Sequence, residues 1–273
     1  PPTEKPDLVI TGINKTETAS GYIIKYTIKN QGTADAGAST TKLYANGTYK
    51  TSDNVPSVAA GASVNKYFGG WKYNPTTPII KVIADTGNAV DESNEGNNEL
   101  QVSIAVEIVY DFVKKAPEAE WFSGIPITNL IFPGDINDDK GFACYRTSIK
   151  MEDGITYSKV LETHPKWVDD GWIDGTYTIG HTIRTGEHFY ARVGFIQNAN
   201  AGDVHFIVEI NLEGEGWESI SQVYDYYDGK IKIIDVPLQA YIDKEPKYFA
   251  LYVRANGSSA QDWATWVEAK IIR

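Results

Sequence analysis

The sequence holds one cysteine and one methionine in 273 residues. A lone Cys144 excludes an intrachain disulfide, and within Gly141-Phe-Ala-Cys-Tyr145 it reads as a small apolar core residue. Positive charge is scarce as well, with 25 Lys and Arg against 36 Asp and Glu and a net charge of −11. That balance excludes nucleic acid as a partner, because a duplex-binding surface needs clustered cations. Long apolar runs are missing, and none approaches the roughly 20 residues of a membrane helix. The four histidines, His164, His181, His188 and His205, lack the short spacing of a zinc site. Neither a Gly-x-Ser-x-Gly elbow nor a phosphate loop occurs, and carboxylate pairs cannot be read from spacing alone. The chain is read as non-enzymatic.

Aromatic side chains are plentiful, with 17 Tyr and 7 Trp. They are set in a text that alternates apolar and polar residues between turn signals, and no long helical pattern interrupts it. The length of 273 residues suggests two domains. In the first, Tyr22–Asn30 points Ile24, Tyr26 and Ile28 one way and Lys25, Thr27 and Lys29 the other. Tyr44-Ala-Asn-Gly-Thr48 is a two-residue hairpin signal. Roughly seven short strands in about a hundred residues, with turns every 8–12, predict an all-β sandwich. In the second, Phe189, Ala191, Val193 and Phe195 line one strand, and Val204, Phe206, Val208, Ile210 and Leu212 another. Phe249, Leu251 and Val253 line a third, and Asp153-Gly154 and Asp228-Gly229 mark hairpins. About eight such strands predict an antiparallel jelly roll. In the closing strand the alternation puts Trp263, Thr265, Val267, Ala269 and Ile271 on one face. Ala264, Trp266, Glu268, Lys270 and Ile272 fall on the other.

Two resemblances follow from particular residues. Pro6-Asp-Leu-Val-Ile10, Lys29-Asn-Gln-Gly32, Ala59-Ala-Gly61 and Val90-Asp-Glu-Ser-Asn-Glu-Gly-Asn-Asn98 resemble CARDB, the immunoglobulin-like "cell adhesion related domain found in bacteria". Gln261-Asp-Trp-Ala264 before the last strand resembles the novel carbohydrate-binding module group of the galactose-binding-like β-sandwiches. The expected organisation is a linker stub at 1–6, a seven-stranded immunoglobulin-like domain at 7–105 and a galactose-binding-like jelly roll at 106–273. The CARDB resemblance implies an extracellular or cell-surface prokaryotic protein, this chain being one stretch of it beside other domains. The Asn-x-Ser/Thr sites at Asn14, Asn46 and Asn256 agree with export, although two of them are also Asn-Gly turns.

The candidate ligand site lies where the alternation breaks, in Glu162-Thr-His-Pro-Lys-Trp-Val-Asp-Asp-Gly-Trp-Ile-Asp-Gly175. A pyranose presents an apolar C–H face with a rim of hydroxyls, so its binders pair a flat aromatic with side-chain oxygens. Trp167 and Trp172, with Asp169, Asp170, Asp174 and His164, meet that specification. The plainer alternative has either Trp plugging the end of the sandwich. Tyr224 and Tyr226, near Trp217, would form a flat strip on one strand face, with Tyr227 turned to the core. Gly134-Asp-Ile-Asn-Asp-Asp-Lys-Gly141 places oxygens at Asp135, Asn137 and Asp139, the opening of a calcium loop. It lacks the sixth-position Gly and the twelfth-position Glu, so a self-satisfied turn explains it equally well. Structural calcium is the one cofactor considered, and a polysaccharide or glycan the partner. Three functions stay open: a spacer plus carbohydrate-binding adhesion module, a purely structural stalk, or an accessory region of a secreted polysaccharide hydrolase or protease.

Overall fold

A computed structural model describes residues 4–18, 21–124 and 126–273. Positions 1–3 of the expected linker stub lie outside the described residues. The chain divides into two compact units, residues 1–106 and 107–273.

The first unit contains β1 (Leu8–Thr18), β2 (Gly21–Asn30), β3 (Ser39–Ala45), β4 (Thr48–Val55), β5 (Ser63–Tyr67), β6 (Ile79–Ile83) and β7 (Glu99–Ser103). A three-stranded sheet β1-β2-β5 and a four-stranded sheet β4-β3-β6-β7 make the seven-stranded immunoglobulin-like sandwich. Ile24, Tyr26 and Ile28 all lie in the core with Leu43, Ile80 and Val82, as the period of two requires. Asn46 and Gly47 turn the β3–β4 hairpin with positive φ angles.

The motif residues are the unit's polar joints. The Asn30 side-chain amide donates to the Ala34 and Val58 carbonyls at 2.8 and 2.9 Å. Its carbonyl accepts from Asp7 N–H at 3.1 Å and Gly32 N–H at 3.0 Å. Glu92, buried, accepts from Leu8 N–H and from the Asn98 amide, the latter at 2.8 Å. Asn97 donates to Asp7 at 3.0 Å. The acidic turn is thus tied to the first strand by hydrogen bonds across more than 80 residues of sequence. Gly32 packs so tightly on this joint that a Cβ there would stand 2.4–2.6 Å from backbone atoms of Lys5, Pro6 and Asp7.

The second unit contains β8 (Ile108–Asp111), the short helix α1 (Phe112–Lys115), β9 (Glu120–Ser123), β10 (Thr128–Leu130), β11 (Phe142–Lys150), β12 (Thr156–His164) and β13 (Trp172–Thr178). After these come β14 (His188–Phe195), β15 (Asp203–Leu212), β16 (Gly216–Tyr226), β17 (Lys232–Pro237), β18 (Tyr248–Ala255) and β19 (Ala264–Ile272). One sheet orders β10-β9-β13-β18-β15-β16. The other orders β11-β12-β19-β14-β17, with β8 also paired to β19. All pairings are antiparallel, the jelly-roll arrangement. Phe112, held by an Asp111 cap on Lys114 N–H, packs on Tyr177, Phe189 and Phe249 in the core.

The closing strand departs from simple alternation. Trp266 and Ala264 face the core, yet so do Ala269 and Ile271. A register shift between Arg192 and Val193 pairs Glu268 with Arg192 but Trp266 with Val193. This bulge reverses the facing partway along β19 and lets both halves of the strand bury their apolar residues. Trp266 is fully buried against Phe206 at 5.2 Å.

Buried carboxylates punctuate this unit. Asp225 is fully buried, with neither oxygen hydrogen-bonded and Lys232 Nζ 3.6 Å away. Asp262, also fully buried, accepts from Asp203 N–H at 2.9 Å. Burial pushes both up to about 7, and beside Asp225 the charge of Glu152 adds to the effect.

Two outcomes are expected. Gly32→Ala destabilises the first unit by about 1–3 kcal/mol through overpacking, whereas Gly37→Ala, where a Cβ meets nothing, stays within about 0.5 kcal/mol of the parent. Urea titration of the two variants checks this. For pH, the folded chain keeps the Asp225 and Asp262 protons to about 7, whereas an unfolded Asp loses its proton near pH 4. The folded state therefore binds more protons over that window, and these residues' contribution to stability falls as pH rises through it and is flat above. His164 acts in the opposite sense, because burial lowers it to about 4. Asp225→Asn separates the terms: its melting temperature rises at pH 8 and stays close to the parent's at pH 5. Equal shifts at both pH values would contradict this assignment.

Candidate functional site

The loop between β12 and β13 crosses from one sheet to the other, and this crossing decides where its aromatic residues go. Along β11 and β12, Ala143 and Leu161 belong to the core, so their neighbours Phe142, Cys144, Glu162 and His164 point to the outer face of that sheet. Along β13, Ile173 and Tyr177 are core residues, which puts Trp172, Asp174 and Thr176 on the outer face of the opposite sheet. Trp167 and Trp172, both expected as stacking residues of one ligand site, stand on opposite sides of the sandwich.

Around Trp167 a stack rises from the sheet. Phe142 and His164, both buried, lie with ring centroids 5.5 Å apart at 21°. Trp167 lies over His164 at 4.3 Å and 13°. His164 Nδ1 donates to the Pro165 carbonyl at 2.6 Å, while Nε2 is buried without a partner. Burial holds the ring neutral, down to about 4. His164 is a support for the Trp167 indole and does not itself reach solvent. The stack leaves Trp167 43% exposed.

Trp167 forms one wall of a cleft of about 590 Å³. Phe142, Arg146 and Glu162 lie along its floor, and Ile136, Asn137, Asp139, Ile196 and Trp263 complete the lining. Arg146 pairs with the buried Glu162 at 2.5 Å. Burial pushes the Glu162 carboxyl up, and the Arg146 charge opposes that. Cys144, on the same face, is buried and its thiol is pushed up to about 11 by burial, which leaves it an inert packing residue. Trp167 N–H donates to the Asp139 carbonyl at 3.0 Å, tying the two loops of the rim. Gly141, at φ +94, sits where a Cβ would come within 2.7 Å of the His164 carbonyl, so the rim is tightly packed. Arg146 was not a candidate in the sequence, and Trp263 entered only through the closing-strand alternation and the Asp262-Trp263-Ala264 resemblance. Arg146 comes from β11 and Trp263 from the loop before β19, and only strand pairing brings them to one cleft.

The remaining loop carboxylates have other employment. Asp170 takes φ 55 and accepts from Gly257 N–H at 3.2 Å, while its own N–H donates to the Gly257 carbonyl. It is a turn-former. Asp169 is exposed beside it. In the expected calcium loop, Asp135 Oδ1 accepts from the backbone and side-chain amides of Asn137 at 2.9 and 3.1 Å. Asp138 caps Lys140 N–H at 3.0 Å. Among the described residues no three His, Cys, Asp or Glu side chains gather in a group that could hold a metal. Asn137 and Asp139 instead line the cleft.

On the opposite sheet, Trp172 stacks on Tyr252 at 5.6 Å and 21°. Tyr224 and Tyr226 lie 6.0 Å apart, and His205 is 5.3 Å from Tyr224. Tyr227, directly after Tyr226 and opposite in facing, packs against the core. Asp174 is pushed up to about 7 by burial and then by the charge of Glu209.

No helix among the described residues is long and apolar enough to cross a membrane. No curated protein matches the chain. Among solved structures, it is similar to the CARDB domain of a Pyrococcus furiosus protein in complex with di-metal ions, at 24% identity over 38% of this chain and 94% of that one, with a TM-score of 0.32. It is also similar to CBM51 from Clostridium perfringens GH95 in complex with methyl-galactose, at 19% identity over 46% and 79% of the two chains, with a TM-score of 0.32. The CBM22-1 xylan-binding domain from Paenibacillus barcinonensis is matched at 15% identity over 49% and 84%, again with a TM-score of 0.32. Residues 5–102, most of the first unit, match the family model described as CARDB, in agreement with the resemblance carried by the Asp91–Asn98 turn.

Proposed function

We propose that the second unit is a non-catalytic glycan-binding module of a cell-surface or secreted protein, and that the CARDB-like unit is its spacer. The observation that carries this reading is the Phe142–His164–Trp167 stack, which holds an open indole face over a cleft of about 590 Å³. Such a volume lies in the range of small-ligand pockets, about 300–1,000 Å³. An indole kept partly in water without support would be mobile; here two buried rings fix it in place, which lowers the ordering cost of binding. Arg146 supplies planar donors already oriented by Glu162, and Asp139 and Asn137 supply rim polar groups for hydroxyls. A cleft of this size with a single stacking ring suits a terminal sugar better than the middle of a chain. Asn137 and Asp139 then serve as rim residues, with Asp135 holding the Asn137 amides, and no metal is needed for the binding chemistry.

The test is a glycan array probed with the full chain, followed by calorimetry on the best ligand and on Trp167→Ala. Removing a half-exposed stacking face is expected to cost about 1–2 kcal/mol, roughly tenfold or more in affinity, while the melting temperature stays near the parent's. Arg146→Ala is a poor probe because it strands the buried Glu162 charge and destabilises by about 3–5 kcal/mol. An intact protein that binds nothing on an array of plant, microbial and host glycans leaves the stalk reading in place of this one.

A further inference from the structure

The outer face of the β10-β9-β13-β18-β15-β16 sheet carries an aromatic strip that the cleft does not use. The register lays it out directly. Trp172, Arg254, His205 and Tyr224 form one row across four strands, because Trp172 pairs with Arg254, Arg254 with His205 and His205 with Tyr224. The row beside it runs Asp174, Tyr252, Ile207 and Gln222. Trp172 and Tyr252 stack across the two rows, and His205 touches Tyr224, which touches Tyr226. The rings thus form two groups along one path across the strands, with Arg254 between them.

Three properties define what this path can hold. It is open: Tyr224 and Tyr226 are 46% and 51% exposed, and the Gln222 amide is fixed by a 3.2 Å contact to His205 Nδ1. It is long, since the four strands from β13 to β16 at about 4.8 Å spacing span about 14 Å. It is acidic beneath: Asp174 and Glu209 both point to this side across Ala250 and Tyr252, and Asp174 Oδ1 is buried without a hydrogen-bond partner. Burial and the neighbouring Glu209 charge already push Asp174 up to about 7, so a further anion laid on the face is disfavoured. The same two carboxylates disfavour a second copy of the face packed against it, because that would bring four of them together without water.

We propose that this face is a second glycan site, separate from the cleft, which takes an internal stretch of an extended, uncharged polysaccharide. The rings stack on successive sugar faces, and Gln222, Glu209 and Arg254 meet the hydroxyls between them. A cleft for one chain end and a strip for a chain middle on opposite sides of one sandwich give the module two modes of attachment.

The test uses the full chain and β-1,4-linked hexaoses of glucose, xylose, mannose and galactose, with polygalacturonate as the anionic probe. Affinities are measured by calorimetry for the parent, Trp172→Ala, Tyr224→Ala and Trp167→Ala, each with its melting temperature. At least one neutral hexaose is expected to bind more tightly than its own disaccharide. Trp172→Ala and Tyr224→Ala should each weaken it roughly five- to tenfold, with Trp167→Ala leaving that affinity unchanged. Tyr224 is an exposed position, so its variant keeps the test valid even where Trp172→Ala unfolds. Four outcomes overturn the proposal: no neutral hexaose binds, polygalacturonate binds more tightly than any of them, hexaose binding is lost in Trp167→Ala but kept in Tyr224→Ala, or sedimentation shows a dimer that Tyr224→Ala dissociates. Loss of monosaccharide binding in Trp167→Ala reports on the cleft alone, so the two sites fail or stand independently.

Discussion

Successive side chains of a strand leave on opposite faces, and this period of two governs both units of the chain. Each sandwich has an apolar interior fed by alternate residues, so every polar or aromatic residue in between is committed to an outer face. In the second unit this gives two outer faces with different content. One collects Phe142, Cys144, Glu162 and His164 beneath the cleft, and the other collects Trp172, Asp174, Tyr252 and His205 along the strip. The bulge at Arg192/Val193 resets the rule partway along β19, and it allows Trp266 and Ile271 to enter the same core.

Burial of polar groups is handled differently in the two units. In the first, the buried Asn30 and Glu92 side chains meet backbone amides and carbonyls that would otherwise be stranded at the sandwich end, so their hydrogen bonds close the loops there. Their residue types are dictated by that geometry, which is why the motif around Asp91–Asn98 reads as a family signature and needs no ligand to explain it. In the second, Asp225 and Asp262 are buried with oxygens left unpaired. Their protonation is tied to folding, which gives the unit a dependence of stability on pH.

The stack under Trp167 shows how a site can be built from residues that look functional but are not exposed. His164 is the residue type expected to bind a ligand, and its place between Phe142 and Trp167 makes it a spacer between two aromatic planes. Its neutrality follows from burial, and a charged ring there would be costly. The exposed chemistry passes instead to Arg146 and Trp263, one on a strand and one at the end of a loop far along the sequence.

The sequence by itself determined that both units are antiparallel sandwiches, because alternation and turn residues such as Asn46-Gly47 are local properties that each segment carries alone. It determined the CARDB character of the first unit for a related reason: the joint needs Asn30, Gly32 and Glu92 at fixed places, and the chain displays them openly. It also picked out the aromatic and acidic content of the 162–175 segment. What the segment's two tryptophans do was decided only by the tertiary structure. Only four residues separate Trp167 from Trp172, but the chain between them passes from one sheet to the other, so proximity along the chain becomes opposition across the sandwich. Likewise the partners of each ring come from strands remote in sequence, since Tyr252 reaches Trp172 through β18 and Arg146 reaches the cleft through β11. Strand order and register are set by long-range pairing and the shared core, and no local pattern records them.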